Sequence, residues 1–394
     1  MLLTHLVLAL CLLCRRSSAS RPCESLDDRL GTCISIVHCP TLLHMIHSKN
    51  RAELRKLQLL TCGFHGSTPK VCCPIDEVKK DDVTNNSLGD VISFNSTNNV
   101  RPDSKTLQNH PNFRNFPSLA SCSRVVTTER IIGGREVPLG SYPWMARIGY
   151  QLTSGEIIYG CGGAVINERY ILTAAHCIVE DGVPLHVQEI SLSEHDTRTD
   201  PDCTSPGECS RVKYFKVEKI ITHPEYNVAR KHHDVALIRL AEPIDFKQEL
   251  YIQPVCLPFI KEYGLQKFMA IPDQYAVSAG WGKTHWNRVP GSHVLQEVKV
   301  PVITNEDCTV KYSGISAIEI SHKQLCAGGQ QGFDTCEGDS GGPLMWLHKH
   351  NQGAKFFQIG IVSFGPTQCG SGALPGVYTR VTGYLDWIVD HVVP

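Results

Sequence analysis

The cysteines constrain this chain more than any other feature, because 18 of its 394 residues are Cys. This number is typical of proteins that fold in an oxidising compartment and are cross-linked by disulfides. Six of them lie close together near the N-terminus, at a density typical of a small module that needs covalent cross-links. They are Cys23, Cys33, Cys39, Cys62, Cys72 and Cys73. A bond between the neighbours Cys72 and Cys73 would need a strained ring, so we exclude that pair and leave the other pairings open. A zinc cluster is the alternative, although the module has no repeated C-x2-C pair.

An apolar run from Leu6 to Cys14 opens the sequence and is followed by small residues. This order is typical of a signal peptide, which we predict over residues 1–20. The run is too short to span a bilayer, which argues against the alternative, a membrane anchor. Removal of the signal peptide also removes Cys11 and Cys14 and leaves an even number of cysteines for pairing. We therefore expect a soluble, secreted protein.

Charge and composition limit the possible partners. Lysine and arginine total 38 and aspartate and glutamate total 39, so the formal net charge is -1. Bulk electrostatics therefore recruit the chain neither to nucleic acid nor to a membrane, and we expect no partner of either kind. The length, with 42% hydrophobic residues, is too great for one small core and predicts two or more domains.

Residues 74–130 are polar and show no sustained period of either strand or helix. We predict a flexible linker there, between the cysteine-rich module at 21–73 and the rest of the chain. Asn85 and Asn95 stand in N-x-[ST] sequons, which makes them candidate glycosylation sites in an exported segment.

Beyond Arg130 the sequence consists of short β-branched runs separated by glycine, proline and asparagine. Residues 298–302 and 359–363 are typical of these runs, which favour β-strands. Only the tail, residues 384–389, repeats its apolar residues at helical spacing. We therefore predict an all-β domain that ends in a helix, with barrels as a natural way to remove strand edges.

Three short segments carry residues suited to acyl transfer, in the order His, Asp, Ser. They are Thr173-Ala174-Ala175-His176-Cys177, His233-Asp234-Val235-Ala236-Leu237 and Gly338-Asp339-Ser340-Gly341-Gly342-Pro343. A serine hydroxyl is a weak nucleophile until a base takes its proton, and histidine suits that task. A carboxylate can hold the imidazole in the correct orientation. Each residue alone would mean little, but the three contexts together predict a catalytic triad of His176, Asp234 and Ser340.

Together these segments resemble a known protease family. Residues 131–394 resemble a trypsin-like serine protease domain of the chymotrypsin fold, and the whole mature chain resembles an arthropod clip-domain serine protease zymogen. The resemblance implies an all-β, chymotrypsin-like double β-barrel with a C-terminal helix, preceded by a small disulfide-rich clip domain in place of the cysteine-rich module. It implies that His176 is the general base, Asp234 its orienter and Ser340 the nucleophile. The N–H groups of Gly338 and Ser340 would form the oxyanion hole.

The resemblance also implies a primary specificity. Asp334 matches the base of the primary pocket, where a buried carboxylate would require the positive charge of a substrate Arg or Lys. Gly365 and Gly376 match the pocket walls, and Ser363 matches the edge segment that pairs with substrate main chain. Cleavage after Arg or Lys follows, unless Asp334 is a solvated loop residue, which is the alternative.

An activation switch is implied by the segment before the protease domain. Thr128-Glu129-Arg130, followed by Ile131-Ile132-Gly133-Gly134, resembles the activation site of the family. Cleavage after Arg130 would free an ammonium at Ile131, which in the family pairs with the carboxylate beside the nucleophile, here Asp339. An unpaired buried carboxylate is costly, so we expect an inactive single chain whose oxyanion loop stays unformed. Because the site ends in Arg, we expect another trypsin-like protease as the activator, with self-activation as the alternative.

The resemblance further implies how the cysteines pair. In the protease part it joins Cys161 with Cys177, Cys308 with Cys326, and Cys336 with Cys369. Cys203 and Cys209 remain, and their short spacing suggests a bond within one loop. A bond from Cys122 to Cys256 would tether the linker to the protease domain, so activation would yield two linked chains. The clip pattern implies Cys23 with Cys72, Cys33 with Cys62, and Cys39 with Cys73.

A loop rich in oxygen ligands, residues 194–202, suits a structural calcium ion. By resemblance its ligands would be Glu194, Asp196, Thr199 and Asp202, some of them through backbone carbonyls. A plain acidic surface loop is the alternative. The chemistry itself requires no cofactor.

Three functions compete on this evidence. The first is a secreted regulatory endopeptidase that acts on a protein substrate in an extracellular cascade, with an upstream activating protease and an inhibiting serpin. By analogy with the family, the cascade would serve insect immunity in the haemolymph, through melanisation by prophenoloxidase activation or through processing of the Toll ligand. The second is a catalytically silent homologue that acts as a binding cofactor, which would require a broken triad. The third is a digestive protease, which leaves the tethered disulfide-rich module unexplained.

Overall fold

The computed structural model describes most of the chain beyond residue 106 and parts of the N-terminal region. The described residues are 22–24, 30–35, 39, 42, 61–65, 68–74, 107–125, 135–180, 182–205, 207–259, 274–285, 287, 291–315, 318–332, 334–350 and 353–394. The chain divides into two compact units, Met1–Asn98 and Asn99–Pro394. Across the described residues, no helix is both long and apolar enough to cross a membrane.

Several predicted features lie outside the described residues. They are the signal peptide at 1–20, the sequons at Asn85 and Asn95, and the activation site at Arg130 and Ile131. The side chains of Cys23, Cys33 and Cys62 also lie outside them, so the clip pairings that involve these residues stay predictions.

The N-terminal unit contains an antiparallel sheet in the order β1-β2-β4-β3. Its strands are β1 Pro22–Glu24, β2 Leu30–Ser35, β3 Thr61–His65 and β4 Thr68–Pro74. Cys72 and Cys73 of β4 are buried. A disulfide joins Cys73 to Cys39, and Cys72 is also disulfide-bonded. Disulfides therefore anchor β4, as the cysteine density predicts, and the zinc alternative does not apply to these three cysteines.

The C-terminal unit is built mainly from β-strands, which confirms the all-β prediction. In chain order they are β5 Arg135–Glu136, β6 Met145–Gln151, β7 Ile157–Val165, β8 Tyr170–Thr173, β9 Val179–Glu180, β10 Val183–Pro184, β11 Val187–Leu192, β12 Asp202–Ser205, β13 Glu208–Ser210, β14 Lys213–Thr222, β15 Ala236–Leu240, β16 Tyr275–Gly280, β17 Gln296–Ile303, β18 Gln324–Ala327, β19 Pro343–His350, β20 Gly353–Phe364 and β21 Gly376–Arg380. Its described part includes the α-helices α1 Asn305–Tyr312 and α2 Leu385–His391. Short 3-10 helices cover Pro111–Asn115, Ala175–Cys177 and Val381–Gly383.

The first barrel closes in the strand order β11-β14-β15-β8-β7-β6, with β11 paired back to β6. Neighbouring strands run antiparallel. Apolar side chains such as Ile148, Ile171 and Ile238 belong to its core and are completely buried. Closure leaves no free strand edge, which is the physical reason that short antiparallel strands favour a barrel.

The second barrel runs β16-β19-β20-β21-β18-β17, and β17 pairs back to β16. The short β5 extends this sheet beside β17. The β-branched runs at 298–302 and 359–363 lie in β17 and β20, and most of the helical tail lies in α2. The double β-barrel with a C-terminal helix is therefore confirmed.

Residues 107–125 pack against the protease part of the same unit. The ring of Phe113 packs edge-on against that of Phe259, with centroids 5.1 Å apart. Asn115 Nδ2 donates to the carbonyl oxygen of Val392, close to the C-terminus, at 2.9 Å. Apolar and polar contacts thus hold this stretch on the protease surface.

A disulfide from Cys122 to Cys256 anchors the same stretch. The prediction of a flexible linker over 74–130 is therefore wrong for residues 107–125. This stretch shows no periodicity because isolated anchor residues and short turns, among them the 3-10 helix Pro111–Asn115, hold it in place. The distant partners of those anchors, rather than local propensity, give it a fixed structure.

Candidate active site

The predicted triad residues come from both barrels. His176 lies in the 3-10 helix that follows β8, Asp234 comes just before β15, and Ser340 precedes β19. Several hydrogen bonds join the barrels at this point. Gly162 N–H of β7 donates to the Ser340 carbonyl oxygen at 2.7 Å, and the Ser363 hydroxyl of β20 donates to Asp234. The junction of the barrels therefore brings the three segments that carry these residues together.

The histidine and aspartate of the triad are in direct contact. His176 Nδ1 lies 2.8 Å from Asp234 Oδ2, and the His176 backbone N–H donates to Asp234 Oδ1 at 2.9 Å. A neutral imidazole that donates from Nδ1 keeps Nε2 free to accept the proton of a nucleophile. Burial alone would raise the pKa of Asp234, but the charge of His176 and hydrogen bonds from His176 and Ser363 hold that pKa below its ordinary value.

Two hydroxyl groups of the second barrel support Asp234 in a way that the sequence does not reveal. Ser363, expected only in the segment that pairs with substrate, donates to Asp234 Oδ2. Thr379 Oγ1 of β21 donates to the Asp234 carbonyl oxygen at 2.7 Å. Both side chains are buried. A hydroxyl at a core-facing strand position indicates that a buried partner is needed, but it does not indicate which residue that partner is.

The nucleophile lies in a turn that presents backbone N–H groups. Gly338 has a φ of +98°, which residues with a side chain rarely adopt, and a β-carbon there would lie 2.8 Å from Gly282 Cα. Among the described residues, neither Gly338 N–H nor Ser340 N–H donates a hydrogen bond. Both groups are therefore available to stabilise developing negative charge.

Asp339, beside the nucleophile, is a carboxylate without a cation. Its oxygens accept hydrogen bonds from the backbone N–H groups of Gly282 and Cys336, each at 2.9 Å. In the described part of the chain no Lys, Arg or His pairs with it, and burial raises its pKa to about 6. A β-carbon on Gly280 would lie 2.2 Å from Asp339 Oδ1. Glycines therefore make the space that this carboxylate occupies.

The oxyanion loop is folded in the single chain, so the expectation of an unformed loop is wrong for its described residues. Asp339 N–H donates to the Cys336 carbonyl oxygen at 3.0 Å, and Gly342 N–H donates to the Asp339 carbonyl oxygen at 2.9 Å. These bonds close the turn around the nucleophile. Its stability comes from backbone hydrogen bonds, and what is missing is a positive charge against Asp339.

A cavity of about 370 Å³ adjoins Asp339. Its lining includes Arg147, Tyr159, Trp281, Lys283 and Asp339. Both cations of this group are paired with other carboxylates. Arg147 Nη1 lies 3.1 Å from Glu194 Oε2, and Lys283 Nζ lies 2.5 Å from Glu337 Oε2. The cavity therefore has a carboxylate at its wall and room for a positively charged group.

Asp334 lies where the resemblance places the base of the primary pocket. Its oxygens accept hydrogen bonds from Thr335 N–H at 2.9 Å and Gly370 N–H at 3.4 Å, while burial raises its pKa to about 6. A β-carbon on Gly376 would lie 3.3 Å from Asp334 Oδ1, and one on Gly365 would meet only Gly376 Cα, at 3.6 Å. Glycine at both positions leaves the space beside the carboxylate open. The solvated-loop alternative does not fit this partly buried group.

Disulfides brace the protease part at the pairs that the resemblance and the cysteine spacing imply. They join Cys161 with Cys177, Cys203 with Cys209, Cys308 with Cys326, and Cys336 with Cys369. The first bond fixes the short helix that carries His176. The last joins the segment that holds Asp334 and Asp339 to a loop from the far side of the pocket.

The predicted calcium ligands share one loop, but their side chains do not all face one centre. Burial, with the nearby charge of Asp202, raises the pKa of Glu194. Thr199 Oγ1 donates to Asp202. The Asp196 carboxylate instead accepts two hydrogen bonds from the Arg198 guanidinium, at 2.6 and 2.8 Å, and one from the Arg198 backbone N–H, and these bonds lower its pKa to about 2. Glu194 is likewise paired, since its Oε2 lies 3.1 Å from Arg147 Nη1. The oxygen donors fit calcium if Asp196 contributes its backbone carbonyl rather than its carboxylate and if Glu194 gives up its contact with Arg147.

Comparison with known protein families assigns both parts of the chain. The family described as Trypsin matches residues 131–388. The family described as the regulatory CLIP domain of proteinases matches residues 23–73. Together these matches cover both the double barrel and the cysteine-rich module.

Relatives match nearly the whole chain. Phenoloxidase-activating factor 1 of Holotrichia diomphalia is 34% identical over 385 residues, which cover 95% of this chain and 94% of that protein. Melanization protease 1 of Drosophila melanogaster is 31% identical over 389 residues, which cover 94% of this chain and 92% of that protein. The crystal structure of the Drosophila Grass clip serine protease of the Toll pathway matches with a TM-score of 0.59 and 31% identity, over 95% of this chain and 97% of that one. This chain is therefore a trypsin-like serine endopeptidase that belongs to the clip-domain serine proteases.

Proposed function

We propose that this protease is secreted as a zymogen, is activated by cleavage after Arg130, and then cuts protein substrates after Arg or Lys. The observation that carries the proposal is Asp339, a carboxylate beside the nucleophile that borders a cavity and has no cation against it in the described chain. The His176–Asp234 contact is already formed in the same single chain. Activation therefore has to complete the Asp339 side of the site.

Cleavage after Arg130 would supply the missing charge as a new ammonium at Ile131. Strand β5 begins at Arg135 and pairs with β17, so the new terminus is held within about 14 Å of the second barrel by four residues of chain. Entry of the terminus into the cavity would withdraw its apolar side chain from water and place its charge against Asp339. Backbone N–H groups only partly satisfy that carboxylate, so the ion pair is favourable.

The proposed preference for Arg or Lys rests on Asp334. Its raised pKa reflects burial without a paired cation in the described chain. A substrate guanidinium or ammonium would satisfy the carboxylate, whereas an uncharged side chain would leave it unpaired. The site therefore discriminates by charge as well as by size.

Activation is proposed to leave two linked chains. The Cys122–Cys256 disulfide joins a cysteine before the cut at Arg130 to a cysteine after it. The packing of residues 107–125 on the protease part adds non-covalent contacts to this tether. The clip domain would thus stay attached to the active protease, where it can bind a partner.

The relatives support a role in an extracellular immune cascade. Their names refer to phenoloxidase activation, melanization and the Toll pathway. We propose that the substrate is another zymogen or a pro-form of the Toll ligand in the haemolymph. An upstream trypsin-like protease would act on Arg130, and a serpin would inhibit the active form. The proposal includes a structural calcium ion in the 194–202 loop but no cofactor for the chemistry.

Limited proteolysis of the purified single chain tests the proposal. A trace of an Arg-specific protease is added, and hydrolysis of an Arg-ending peptide is followed beside N-terminal sequencing and gels with and without reducing agent. Activity should appear in step with a new Ile131 terminus, and the two chains should separate on the gel only after reduction. Arg130→Gln should prevent both events.

Ser340→Ala is the matched control, because it removes the nucleophile and leaves the cleavage site intact. This variant should be cut after Arg130 and show no turnover. Clean cleavage of the unaltered chain without any activity would contradict the proposal and favour the silent homologue that acts as a binding cofactor.

A further inference from the structure

A histidine cluster lies directly beside the triad aspartate. It consists of His223, Glu225 and His233, each of which offers a ligand atom, and these atoms all lie within 4.8 Å of one another. His233 immediately precedes Asp234 in the chain. We propose that this cluster binds a divalent transition-metal ion such as Zn²⁺ and that the bound ion lowers peptidase activity by displacing Asp234.

The geometry of His233 leaves one ring nitrogen directed at the cluster. Its Nδ1 lies 3.4 Å from the hydroxyl of Tyr384. Its Nε2 lies 3.8 Å from Glu225 Oε2. An imidazole that keeps its proton on Nδ1, facing the Tyr384 oxygen, has its Nε2 lone pair available for a metal beside the Glu225 carboxylate.

His223 requires one rearrangement. Its Nδ1 accepts a hydrogen bond from Glu225 N–H at 3.2 Å, which leaves Nε2 as the other ring nitrogen. Metal binding at Nε2 requires the ring proton to move to Nδ1, so Glu225 N–H must turn to water. Metal binding therefore has to compensate for the loss of this hydrogen bond. The ring keeps one proton throughout, and no net charge is gained or lost by it.

The two imidazole rings also have to close on the metal. They stack with centroids 4.7 Å apart and an angle of 25° between their planes. Zinc binds imidazole nitrogen at about 2.0–2.1 Å, so the ligand atoms must approach one another and the rings must tilt. The side chain of Glu225 is exposed and can move freely to join them.

Burial disfavours the charged form of both rings, and ligation requires the neutral form. Burial, with the positive charges of His233 and Lys323, lowers the pKa of His223 to about 4. Burial and Lys323 also lower the pKa of His233. Lys323 opposes a bound dication, whereas the carboxylates of Glu225 and Asp234 favour it. Two imidazoles and one carboxylate form a donor set that suits Zn²⁺, with water in the fourth position.

The link to activity is the backbone at His233, and this part of the inference rests on the proposed peptidase function. His233 has a φ of +55°, in the left-handed region that few residues with a side chain adopt. Closure of its ring on a metal pulls on the peptide unit that it shares with Asp234. Displacement of a catalytic group by about 1 Å can cost 10²-fold in rate, so occupation of the site should inhibit.

Binding is tested on the single chain, where no activity is needed. Equilibrium dialysis with Zn²⁺ alone should show a site whose affinity falls at least tenfold in Glu225→Gln and in His233→Asn. Asparagine tolerates the left-handed backbone, so the second variant should fold. His232→Asn is the matched control, because His232 lies outside the cluster and contacts the Glu319 carbonyl oxygen instead. Equal affinity in all four proteins would overturn the proposed site.

Inhibition is tested on the activated enzyme with an Arg-ending peptide. Zn²⁺ should lower turnover of the unaltered protein and of His232→Asn, a chelator should reverse this, and Glu225→Gln should need at least tenfold more Zn²⁺. Equal inhibition of Glu225→Gln would mean that zinc acts elsewhere, with His176 as the clearest candidate, and would overturn the inhibitory role. Inactivity of every protein would refute the proposed function instead and leave the dialysis result standing.

Discussion

The pKa values of the carboxyl groups in the two barrels are shifted in opposite directions. Asp234, in the first barrel, is completely buried, yet contacts with His176 and Ser363 hold its pKa below the ordinary value. Asp334 and Asp339, in the second barrel, have their pKa raised to about 6 by burial. In the described chain neither of them has a cation against it.

The difference shows which part of the catalytic apparatus the single chain completes by itself. The first barrel supplies both the base and the carboxylate that orients it. The second barrel places two carboxylates that each lack a positive charge. One of these charges would come from the substrate and the other from a cut in the chain. In such a protease the His176–Asp234 pair is formed from the start, whereas the carboxylates of the second barrel would each be paired only after activation or substrate binding.

The largest effect should come from breaking the completed pair. Asp234→Asn removes the negative charge that orients His176 and should lower kcat by about 10⁴-fold with little change in KM. Ser363→Ala removes one hydrogen bond to the same carboxylate and should cost roughly 10-fold. Steady-state kinetics of the activated proteins measure both. If Asp234→Asn lost less than Ser363→Ala, the role given to Asp234 would be wrong.

A smaller but selective effect should follow from changing Asp334. Asp334→Ser removes the partner of a substrate cation and should lower kcat/KM for an Arg-ending peptide by about 10²- to 10³-fold. Peptides that end in an uncharged residue should not lose activity in this way. Asp245→Ser, at an exposed aspartate, is the matched control. Unchanged hydrolysis of the Arg peptide would refute the assignment.

The pH dependence of stability should separate the single chain from the cleaved form. In the single chain the pKa of Asp339 is raised to about 6 from 3.8, so the folded state favours its protonated form. This stabilisation is fully present below the unfolded pKa and is lost as the pH rises through the folded pKa. Cleavage should replace it with an ion pair that persists at high pH. The carboxylate of Asp334 contributes equally to both forms.

Urea unfolding of Ser340→Ala, before and after cleavage, measures this difference. The cleaved form should gain stability over the single chain, by more at pH 7.5 than at pH 5, with a difference on the order of 2 kcal/mol. Asp339→Asn should make the gain independent of pH. A gain of equal size at both pH values in the protein that retains Asp339 would contradict the account.

The smallest effect concerns the 194–202 loop. Calcium should raise Tm by a few degrees, because an ion that binds only the folded state stabilises it. Glu194→Gln should abolish this increase. Asp196→Asn should retain it, because that carboxylate faces Arg198. Differential scanning calorimetry with calcium and with a chelator measures the shift, and an unchanged Tm for the unaltered protein would exclude the site.

Local sequence signals predicted the parts of the site that depend on local structure. The triad motifs carry their turns and glycines with them, and the β-branched residues of the runs at 298–302 and 359–363 favour the strands that contain them. The hydrogen bonds from Ser363 and Thr379 to Asp234 could not be predicted, because they join residues 129 and 145 positions apart. A single hydroxyl in a strand does not indicate its partner.

The stretch at 107–125 was missed for a related reason. Its partners, Phe259 and Val392, lie far along the chain, and a polar sequence with isolated aromatic residues has the pattern of a linker. The unpaired charge of Asp339 predicts an unformed oxyanion loop. The sequence does not show that the backbone N–H groups of Gly282 and Cys336 donate to this carboxylate, and these hydrogen bonds hold it in the absence of a cation.

The central claim is that Asp339 has no paired cation in the single chain and that cleavage supplies one. Carbon-detected NMR of aspartate-labelled Ser340→Ala can titrate this carboxyl group before and after the cut, with Asp339→Asn used to assign its signal. The account predicts a pKa of about 6 in the single chain and a value below the ordinary 3.8 in the cleaved form. The same pKa in both forms would contradict it.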